Sequence, residues 1–237
     1  MKLKSKNQNI INSNHWKSFW EQQSTPLHHF NNEKWYHLYA QEINLLLDAL
    51  KYTGGSVLET GCGNGALFEY LNINKNDYIG TDISEAMLDI FRTKYPHANL
   101  VCADAASHIV DRQFSLIYSN GVIQYLKSKQ LDSYIQNSLS MLEPGGIMLV
   151  GNILWDKSKA DFYSKCYLPG ELSLQLSQGS KFIYLKNTIK QFVGKDFLGY
   201  WYSPSDFLKY QNENVRVYVF GSLFHAYRFS VGIEKLS

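Results

Sequence analysis

Residues 59–65 read ETGCGNG and place three glycines, Gly61, Gly63 and Gly65, at every second position behind Glu59. The stretch joins the hydrophobic run SVLET to GALFEYLNI, whose apolar spacing predicts a helix. Glycine allows the backbone to turn tightly and to approach a ligand with no Cβ atom in between. The free N–H groups of the first helical turn would then face the ligand. The pattern therefore predicts a binding site for a nucleotide-type ligand.

Two acidic residues close the next two predicted strands along the chain. Asp82 ends DYIGTD, and Asp104 ends NLVCAD. Because the carboxyl ends of parallel strands form one edge of a sheet, both carboxylates are expected near the glycine loop. Asp82 lies where a ribose hydroxyl is expected. Asp104 and the N–H of Ala105 suit the amino group and a ring nitrogen of adenine.

Two kinds of nucleotide cofactor compete for this arrangement. Gly61, Gly63 and Ala66 satisfy the G-x-G-x-x-A fingerprint of dinucleotide-binding folds, and Asp82 follows at the expected distance. A pyrophosphate is doubly anionic, however, and Glu59 adds a negative charge just ahead of the loop. A cofactor with a cationic centre and a free amine would tolerate that charge better.

An alternation of short strands and helices positions the glycine loop and the two acids. The predicted strands are SVLET, DYIGTD, NLVCAD, FSLIYSN and GIMLVGNI, and later helices between them are SEAMLDIFRTKY and SKQLDSYIQNSLSML. Ser84 can cap the first of these two helices, and Pro96 ends it. Strands separated by helices of this length pair in parallel through right-handed crossovers, which gives a doubly wound sheet.

The end of the chain breaks this alternation. Ser203 as N-cap and Pro204 at the first helical position predict a helix in SPSDFLKY. VRVYVF and LFHAYRFSVGIEKL then read as two antiparallel strands joined by the two-residue turn GS. The predicted fold is α/β, a doubly wound and mostly parallel seven-stranded sheet that ends in an antiparallel β-hairpin.

Six motifs, taken in chain order, resemble those of the class I S-adenosylmethionine-dependent methyltransferases. They are VLETGCGNG, GTDIS, CADA, FSLIYSNGVIQYL, LEPGGIMLV and HAYRFSVGIEK. The resemblance runs over residues 55–155 and, more loosely, through the closing hairpin. It implies a Rossmann-like fold that binds S-adenosylmethionine and releases S-adenosylhomocysteine as its product.

The same resemblance implies which residues hold the cofactor. The glycine loop frames the methionine part, Asp82 holds the ribose hydroxyls, and Asp104 with Ala105 reads the adenine edge. Asn120 lies near the reacting methyl group. Ile83 fits either a contact with the adenine or a core position at the start of a helix. The full implied set is Glu59, Gly61, Gly63, Gly65, Asp82, Ile83, Asp104, Ala105 and Asn120.

Residues 1–237 are expected to form a single Rossmann-like domain. Residues 1–53 are a predicted helical N-terminal cap, whose main helix is NEKWYHLYAQEINLLLDALKY with Asn31 or Asn32 as N-cap. Residues 155–203 are a predicted lid insertion ahead of the hairpin. Both segments are rich in aromatic residues, which suit either packing or the walls of a pocket for an organic substrate.

The catalytic residues are not determined by the motifs. Family members that methylate hydroxyl groups often carry a histidine just after the fourth strand, where this chain has Gln124 and Tyr125. The remaining candidates for a general base are His29, His225 and Tyr125, with His28 beside the first of them. An amine acceptor needs no strong base, so the missing histidine slightly favours nitrogen or a base supplied by the lid.

Composition excludes several classes of protein. The net charge of +2, from 23 basic and 21 acidic residues, provides no basic stripe for a nucleic acid. No apolar run reaches the length of about 18 residues that a membrane span needs, and no signal peptide is recognisable, so a cytoplasmic location is expected. Cys62, Cys102 and Cys166 lie far apart, which predicts reduced thiols and no metal site.

The sequence thus predicts an S-adenosylmethionine-dependent methyltransferase that moves a methyl group to an oxygen or nitrogen atom of a small molecule. The fourth strand ends in SNGV and lacks the pattern of enzymes that act on adenine, cytosine or glutamine amides. Two alternatives stay open: a non-catalytic S-adenosylmethionine-binding protein and an NAD(P)-dependent oxidoreductase. The sequence carries no information on the oligomeric state.

Overall fold

The structure, a computed structural model, describes residues 20–21, 33–159, 162 and 199–237. These residues contain a seven-stranded sheet with the order β3-β2-β1-β4-β5-β7-β6. The strands are β1 (Val57–Thr60), β2 (Tyr78–Asp82), β3 (Asn99–Cys102), β4 (Phe114–Asn120), β5 (Leu142–Leu154), β6 (Val215–Gly221) and β7 (Arg228–Lys235).

Strands β1 to β5 pair in parallel, whereas β7 is antiparallel to both of its neighbours, β5 and β6. The predicted fold, a mostly parallel sheet that ends in an antiparallel hairpin, is therefore confirmed. Strand order reverses between β1 and β4, and ligands of such sheets bind at the carboxyl ends of the strands beside this reversal.

Four helices flank the sheet in the part of the chain that the structure describes: α1 (Glu33–Ala49), α2 (Glu85–Lys94), α3 (Ser128–Met141) and α4 (Ser205–Leu208). The side chain of Ser84 accepts a hydrogen bond from the N–H of Met87, and α2 ends just before Pro96, as the sequence predicted. Pro204 rather than Ser203 is the N-cap of α4, which is one short turn.

Two hydrophobic layers cover the faces of the sheet. One face packs against α3 and α4, with Tyr134 and Phe207 fully buried. The other packs against α1 and α2, with Leu47 and Phe91 in its core. Consecutive strand residues such as Leu116 and Ile117 enter opposite layers because side chains alternate along a strand. These two layers fix the strand ends that carry the site.

The helix predicted in GALFEYLNI, residues 65–73, is wrong. This stretch contains only one 3₁₀ turn, Phe68–Tyr70. The side-chain amide of Asn44 in α1 donates to the carbonyl of Tyr70 and accepts from the N–H of Asn72, at 3.0 and 2.8 Å. A side chain that takes these backbone groups competes with the hydrogen bonds of a helix. No helix N-terminus therefore follows the glycine loop.

The two-residue turn predicted between the last two strands is also wrong. Strand β6 ends at Gly221 and β7 begins at Arg228, so residues 222–227 connect them. The carboxylate of Glu42 in α1 accepts hydrogen bonds from the N–H of Leu223 at 2.7 Å and from the hydroxyl of Ser222 at 3.4 Å. This contact with α1 holds the connection open as a longer loop.

Smaller differences concern element ends. Strand β3 stops at Cys102, two residues before Asp104, and β5 begins at Leu142 and includes the predicted EPGG turn. Several predicted features lie outside the described residues: His28, His29, the N-cap at Asn31 or Asn32, and most of the lid at 155–203. Within the described residues, no helix is long and apolar enough to cross a membrane.

Candidate functional site

A cavity of about 200 Å³ opens at the carboxyl ends of β1, β2 and β4. Most of the sequence-predicted residues meet there: Glu59, Gly61, Gly63, Asp82, Ile83, Asp104, Ala105, Asn120 and Tyr125 all line it. Gly65 and His225 are not among the lining residues. The topology thus brings together side chains that are up to 66 residues apart in the chain, from Glu59 to Tyr125.

The glycine loop turns sharply at the end of β1. Gly61 and Gly63 adopt φ values of +75° and +55°, which favour glycine. A Cβ atom on Gly61 would lie 2.2 Å from Val122, so the loop packs tightly against the segment after β4. A Cβ atom on Gly63 would meet no atom within 4 Å, which leaves open space over the backbone at this point.

Gly65 packs against α2 in this structure, and its implied contact with the cofactor stays a prediction. Its φ is +70°, and a Cβ atom there would lie 2.6 Å from the ring of Phe91 in α2. The residue therefore allows the loop to pack on the aromatic cluster of Phe68, Phe91 and Tyr95 beneath it. Its contribution to the cavity is indirect, through the path of the loop.

Asp82 ties the glycine loop to the start of α2. Its carboxylate accepts hydrogen bonds from the N–H of Gly63 and the N–H of Ser84, both at 2.9 Å. Burial raises the pKa of Asp82, and these N–H groups oppose the rise. Because an ionised carboxylate has about four acceptor sites, capacity remains for ribose hydroxyls.

Glu59 is buried beneath the cavity, with 6% of its surface exposed. Its carboxylate accepts a hydrogen bond from the hydroxyl of Tyr78 at 2.6 Å. Burial raises the pKa of Glu59 to about 7, the Tyr78 hydrogen bond opposes the rise, and the nearby charge of Asp82 adds to it. A positive group bound in the cavity would favour the ionised form of Glu59.

The third strand end supplies Asp104 and Ala105. The side chain of Asp104 accepts a hydrogen bond from the N–H of Ala106 at 2.9 Å, and its carbonyl accepts from the N–H groups of Ser107 and His108. These bonds hold a turn that points this segment at the cavity. The expected contact of Asp104 with an adenine amino group stays a prediction.

The opposite end of the cavity, beyond β4, is formed by Asn120, Tyr125, Asn152 and Tyr39. Asn152 has a φ of +65°, unusual for a residue other than glycine, in an irregular part of β5. A Cβ atom on Gly151 would lie 2.8 Å from the side-chain oxygen of Asn120, so this side chain rests directly on β5.

Several lining residues were not assigned to the site from sequence: Trp20, Tyr36, Tyr39, Asn64, Gln130 and Asn152. The aromatic ones had a signal, since the N-terminal segment was expected to offer aromatic pocket walls. Trp20 stands edge-on to Tyr125, with ring centres 5.9 Å apart. No sequence signal marked the polar ones, because single asparagines and glutamines form no recognisable pattern along the chain.

The candidate bases occupy different positions. The hydroxyl of Tyr39 lies 2.6 Å from Nε2 of His225, so the histidine is connected to the cavity through the tyrosine. Burial raises the pKa of Tyr39 to about 12 and also raises the pKa of Tyr125. Both tyrosines are therefore neutral near pH 7. Gln124, which occupies the expected histidine position, is buried and accepts a hydrogen bond from Arg228.

The hydrogen-bond acceptors in the cavity wall fit a nucleoside cofactor that carries positive charge. The side-chain oxygen of Asn64, in the cavity wall, is buried and has no hydrogen-bond partner among the residues that the structure describes. Together with Glu59 and Asp82 it can accept hydrogen bonds from an ammonium group or from hydroxyls. Within the described ranges, no group of three or more His, Cys, Asp or Glu side chains could hold a metal ion.

Comparison with known proteins supports this interpretation. Residues 57–146 match the family model for a methyltransferase domain. The dTDP-3-amino-3,4,6-trideoxy-alpha-D-glucopyranose N,N-dimethyltransferase of Streptomyces venezuelae is 30% identical over 117 residues, which cover 47% of this chain and 49% of that protein. A malonyl-[acyl-carrier protein] O-methyltransferase of Priestia megaterium is 31% identical over 98 residues, 40% of this chain and 35% of that one. The chain thus spans about half or less of these relatives' own length.

A solved structure extends the likeness to most of the chain. The N-methyltransferase NodS of Bradyrhizobium japonicum, in complex with S-adenosylhomocysteine, superposes with a TM-score of 0.60 and covers 94% of this chain and 97% of its own. The sequence identity is 16%, so this likeness shows a shared fold. The matches confirm the resemblance to class I S-adenosylmethionine-dependent methyltransferases that the motifs indicated.

Proposed function

We propose, on the premise that residues 57–146 form a methyltransferase domain, that the protein transfers a methyl group from S-adenosylmethionine to an oxygen or nitrogen atom of a small molecule. One observation carries the proposal. The glycine loop and three acidic residues, Glu59, Asp82 and Asp104, come from three separate strand ends and line a single cavity.

We assign one end of the cavity, over β1 to β3, to the cofactor and the other end, beyond β4, to the acceptor. Glu59, Gly63 and Asn64 would hold the methionine part, Asp82 the ribose, and Asp104 the adenine. Bound S-adenosylmethionine supplies a methyl group activated by its sulfonium centre, so the protein's task is alignment of the acceptor and exclusion of water. The end beyond β4 is left for the acceptor.

The acceptor end also offers a route for a proton. A hydroxyl acceptor must lose its proton as the methyl group arrives, whereas a neutral amine can lose it afterwards. The oxygen of Tyr39 is placed to take that proton while its own proton passes to Nε2 of His225, 2.6 Å away. The proton would then rest on the imidazole, and Tyr39 would be neutral before and after the reaction.

The relatives support an oxygen or nitrogen acceptor on a small organic group, whether free or carried by a protein. By name, the Streptomyces relative acts on a nucleotide-linked amino sugar, and the Priestia relative on a malonyl group carried by a protein. Both act through nitrogen or oxygen, as their names state. This chain has the same kind of domain, and its cavity wall is partly aromatic, which suits an organic acceptor.

Binding of the cofactor is the first test. Calorimetric titration of the purified protein with S-adenosylhomocysteine should show one site, and NADH should not bind. Asp82→Asn should weaken the binding by about tenfold or more, because it removes a charge-assisted hydrogen bond. Asp111→Asn, at an exposed aspartate, is the matched control and should bind normally.

The outcomes separate the open alternatives. Binding of NADH without S-adenosylhomocysteine would refute the proposal and favour an oxidoreductase. Binding of S-adenosylhomocysteine with no methyl transfer from labelled S-adenosylmethionine to any member of an acceptor panel would favour a non-catalytic binding protein. Transfer to a panel member would identify the acceptor atom by mass spectrometry of the product.

A further inference from the structure

Arg228, the first residue of β7, is a buried cation at the acceptor end of the site. It is 8% exposed. Its Nη1 donates hydrogen bonds to the side-chain oxygen of Gln124 at 3.1 Å and to the carbonyl of Asn152 at 2.6 Å. The guanidinium is thus fixed between the segment after β4 and the irregular part of β5.

Among the residues that the structure describes, no carboxylate forms an ion pair with Arg228. The ion pairs of the described residues lie elsewhere, on surface side chains such as Arg92, Arg112 and Arg216. The groups around Arg228 are neutral: the ring of Tyr227 is centred 5.5 Å from the guanidinium carbon, and Gln124 is an amide. Burial lowers the pKa of Arg228, and the neighbouring tyrosines oppose this change.

A buried charge without an opposite charge beside it is costly, and proteins seldom retain one unless a ligand completes the site. Arg228 touches the cavity wall through Asn152, which lines the cavity. Its charge also acts on Tyr39 and Tyr125, two further lining residues, where it lowers the pKa values against the effect of burial. An anion at this end of the cavity would therefore be attracted by the guanidinium across the wall formed by Asn152 and the two tyrosines.

The two ends of the cavity have opposite electrostatic character. Glu59, Asp82 and Asp104 supply acidic groups over β1 to β3. Among the described lining residues there is no lysine, arginine or histidine. Arg228 supplies a positive charge behind the wall beyond β4, in contact with the lining residue Asn152.

We propose that the acceptor carries an oxyanion, a carboxylate or a phosphate, which binds at the end of the cavity next to Arg228, Tyr39 and Tyr125. This inference deepens the proposed function and rests on it. The anion would neutralise the guanidinium and orient the acceptor, while the aromatic wall would hold its apolar part. Arg228 is accordingly a positioning residue, whose charge acts on the acceptor through the cavity wall, and it takes no part in proton transfer.

The test compares small aromatic probes that differ only in charge. With the protein saturated by S-adenosylhomocysteine, benzoate and benzamide are titrated by NMR, and phenyl phosphate is compared with phenol. We expect each anion to bind about tenfold more tightly than its neutral counterpart, since a charge attracts an anion strongly across a short, poorly solvated distance. Arg228→Gln should remove this preference, and Arg216→Gln, at an exposed arginine of β6, should preserve it.

The comparison of charged and neutral probes in the unsubstituted protein remains a test even if Arg228→Gln does not fold. Arg228→Lys keeps the charge and should retain part of the preference for anions. Equal binding of the charged and neutral probes would overturn the proposal. So would an anion preference that persists in folded Arg228→Gln. Failure of S-adenosylhomocysteine to bind is a separate result that would count against the proposed function, and the probes can then be titrated without it.

Discussion

Glu59 makes the stability of the free protein depend on pH in a specific direction. Its pKa is about 7 in the folded protein because the carboxyl group is buried, against an ordinary value of 4.5. Between these two pH values the folded state holds a proton that the unfolded state has released. Ionisation therefore disfavours the folded state, and the stability contributed by protonated Glu59 is lost as the pH rises toward and past 7.

The size of the effect follows from the two pKa values. Full ionisation costs the folded state about 3 kcal/mol relative to the unfolded state. About 1 kcal/mol of this is already lost at pH 5.5, which leaves about 2 kcal/mol to be lost between pH 5.5 and pH 8. For a chain of this length, that corresponds to a difference in midpoint temperature of about 4–8 °C.

The measurement is urea unfolding of the wild-type protein and of Glu59→Gln at both pH values. Glutamine keeps the shape of the side chain and can still accept the hydrogen bond from Tyr78. The free energy of unfolding of the wild type, relative to the variant, should fall by about 2 kcal/mol from pH 5.5 to pH 8. Glu213→Gln, at an exposed glutamate, controls for the change in net charge. A difference between wild type and Glu59→Gln that is constant with pH would refute the reasoning.

Two further predictions concern the loop and the proton route. Gly65→Ala should lower the free energy of unfolding in urea by about 2–5 kcal/mol, because it combines backbone strain with a clash against Phe91. Gly63→Ala adds strain without a clash and should lower it by only about 1–2 kcal/mol. Equal losses in the two variants would contradict the packing role of Gly65. With a hydroxyl acceptor, His225→Gln should lower kcat and make the decrease of kcat at acid pH less steep, while the affinity for S-adenosylhomocysteine stays the same. An unchanged dependence of kcat on pH would exclude the proton route through Tyr39.

Local patterns were sufficient for most of the fold and for the glycine loop and acids that line the cavity. The alternation of strands and helices, the cap at Ser84 and the break at Pro96 depend on residues that are neighbours in the chain. The glycine loop and Asp82 each lie at a strand end, and the parallel topology brings strand ends together at one edge of the sheet. Knowledge of the strand order was therefore enough to predict the residues that meet there.

The errors arose where a side chain from a distant element captures the backbone. Asn44 of α1 takes backbone groups of Tyr70 and Asn72, so a stretch with helical spacing forms only a 3₁₀ turn. Glu42 of the same helix holds the loop between β6 and β7 open. Apolar spacing cannot reveal either contact, because the competing hydrogen bonds depend on where α1 packs.

The sequence by itself determined the class of fold, the glycine loop and the positions of the acids around it, because short-range periodicity and turn chemistry encode them. Only the tertiary structure decided which groups meet beyond β4. Tyr39 meets His225 across 186 residues, and Arg228 meets Gln124 across 104. Such contacts require the closing strand to lie against β5 and α1 to lie beside its loop, and the polar residues involved are chemically meaningful only after the chain has folded.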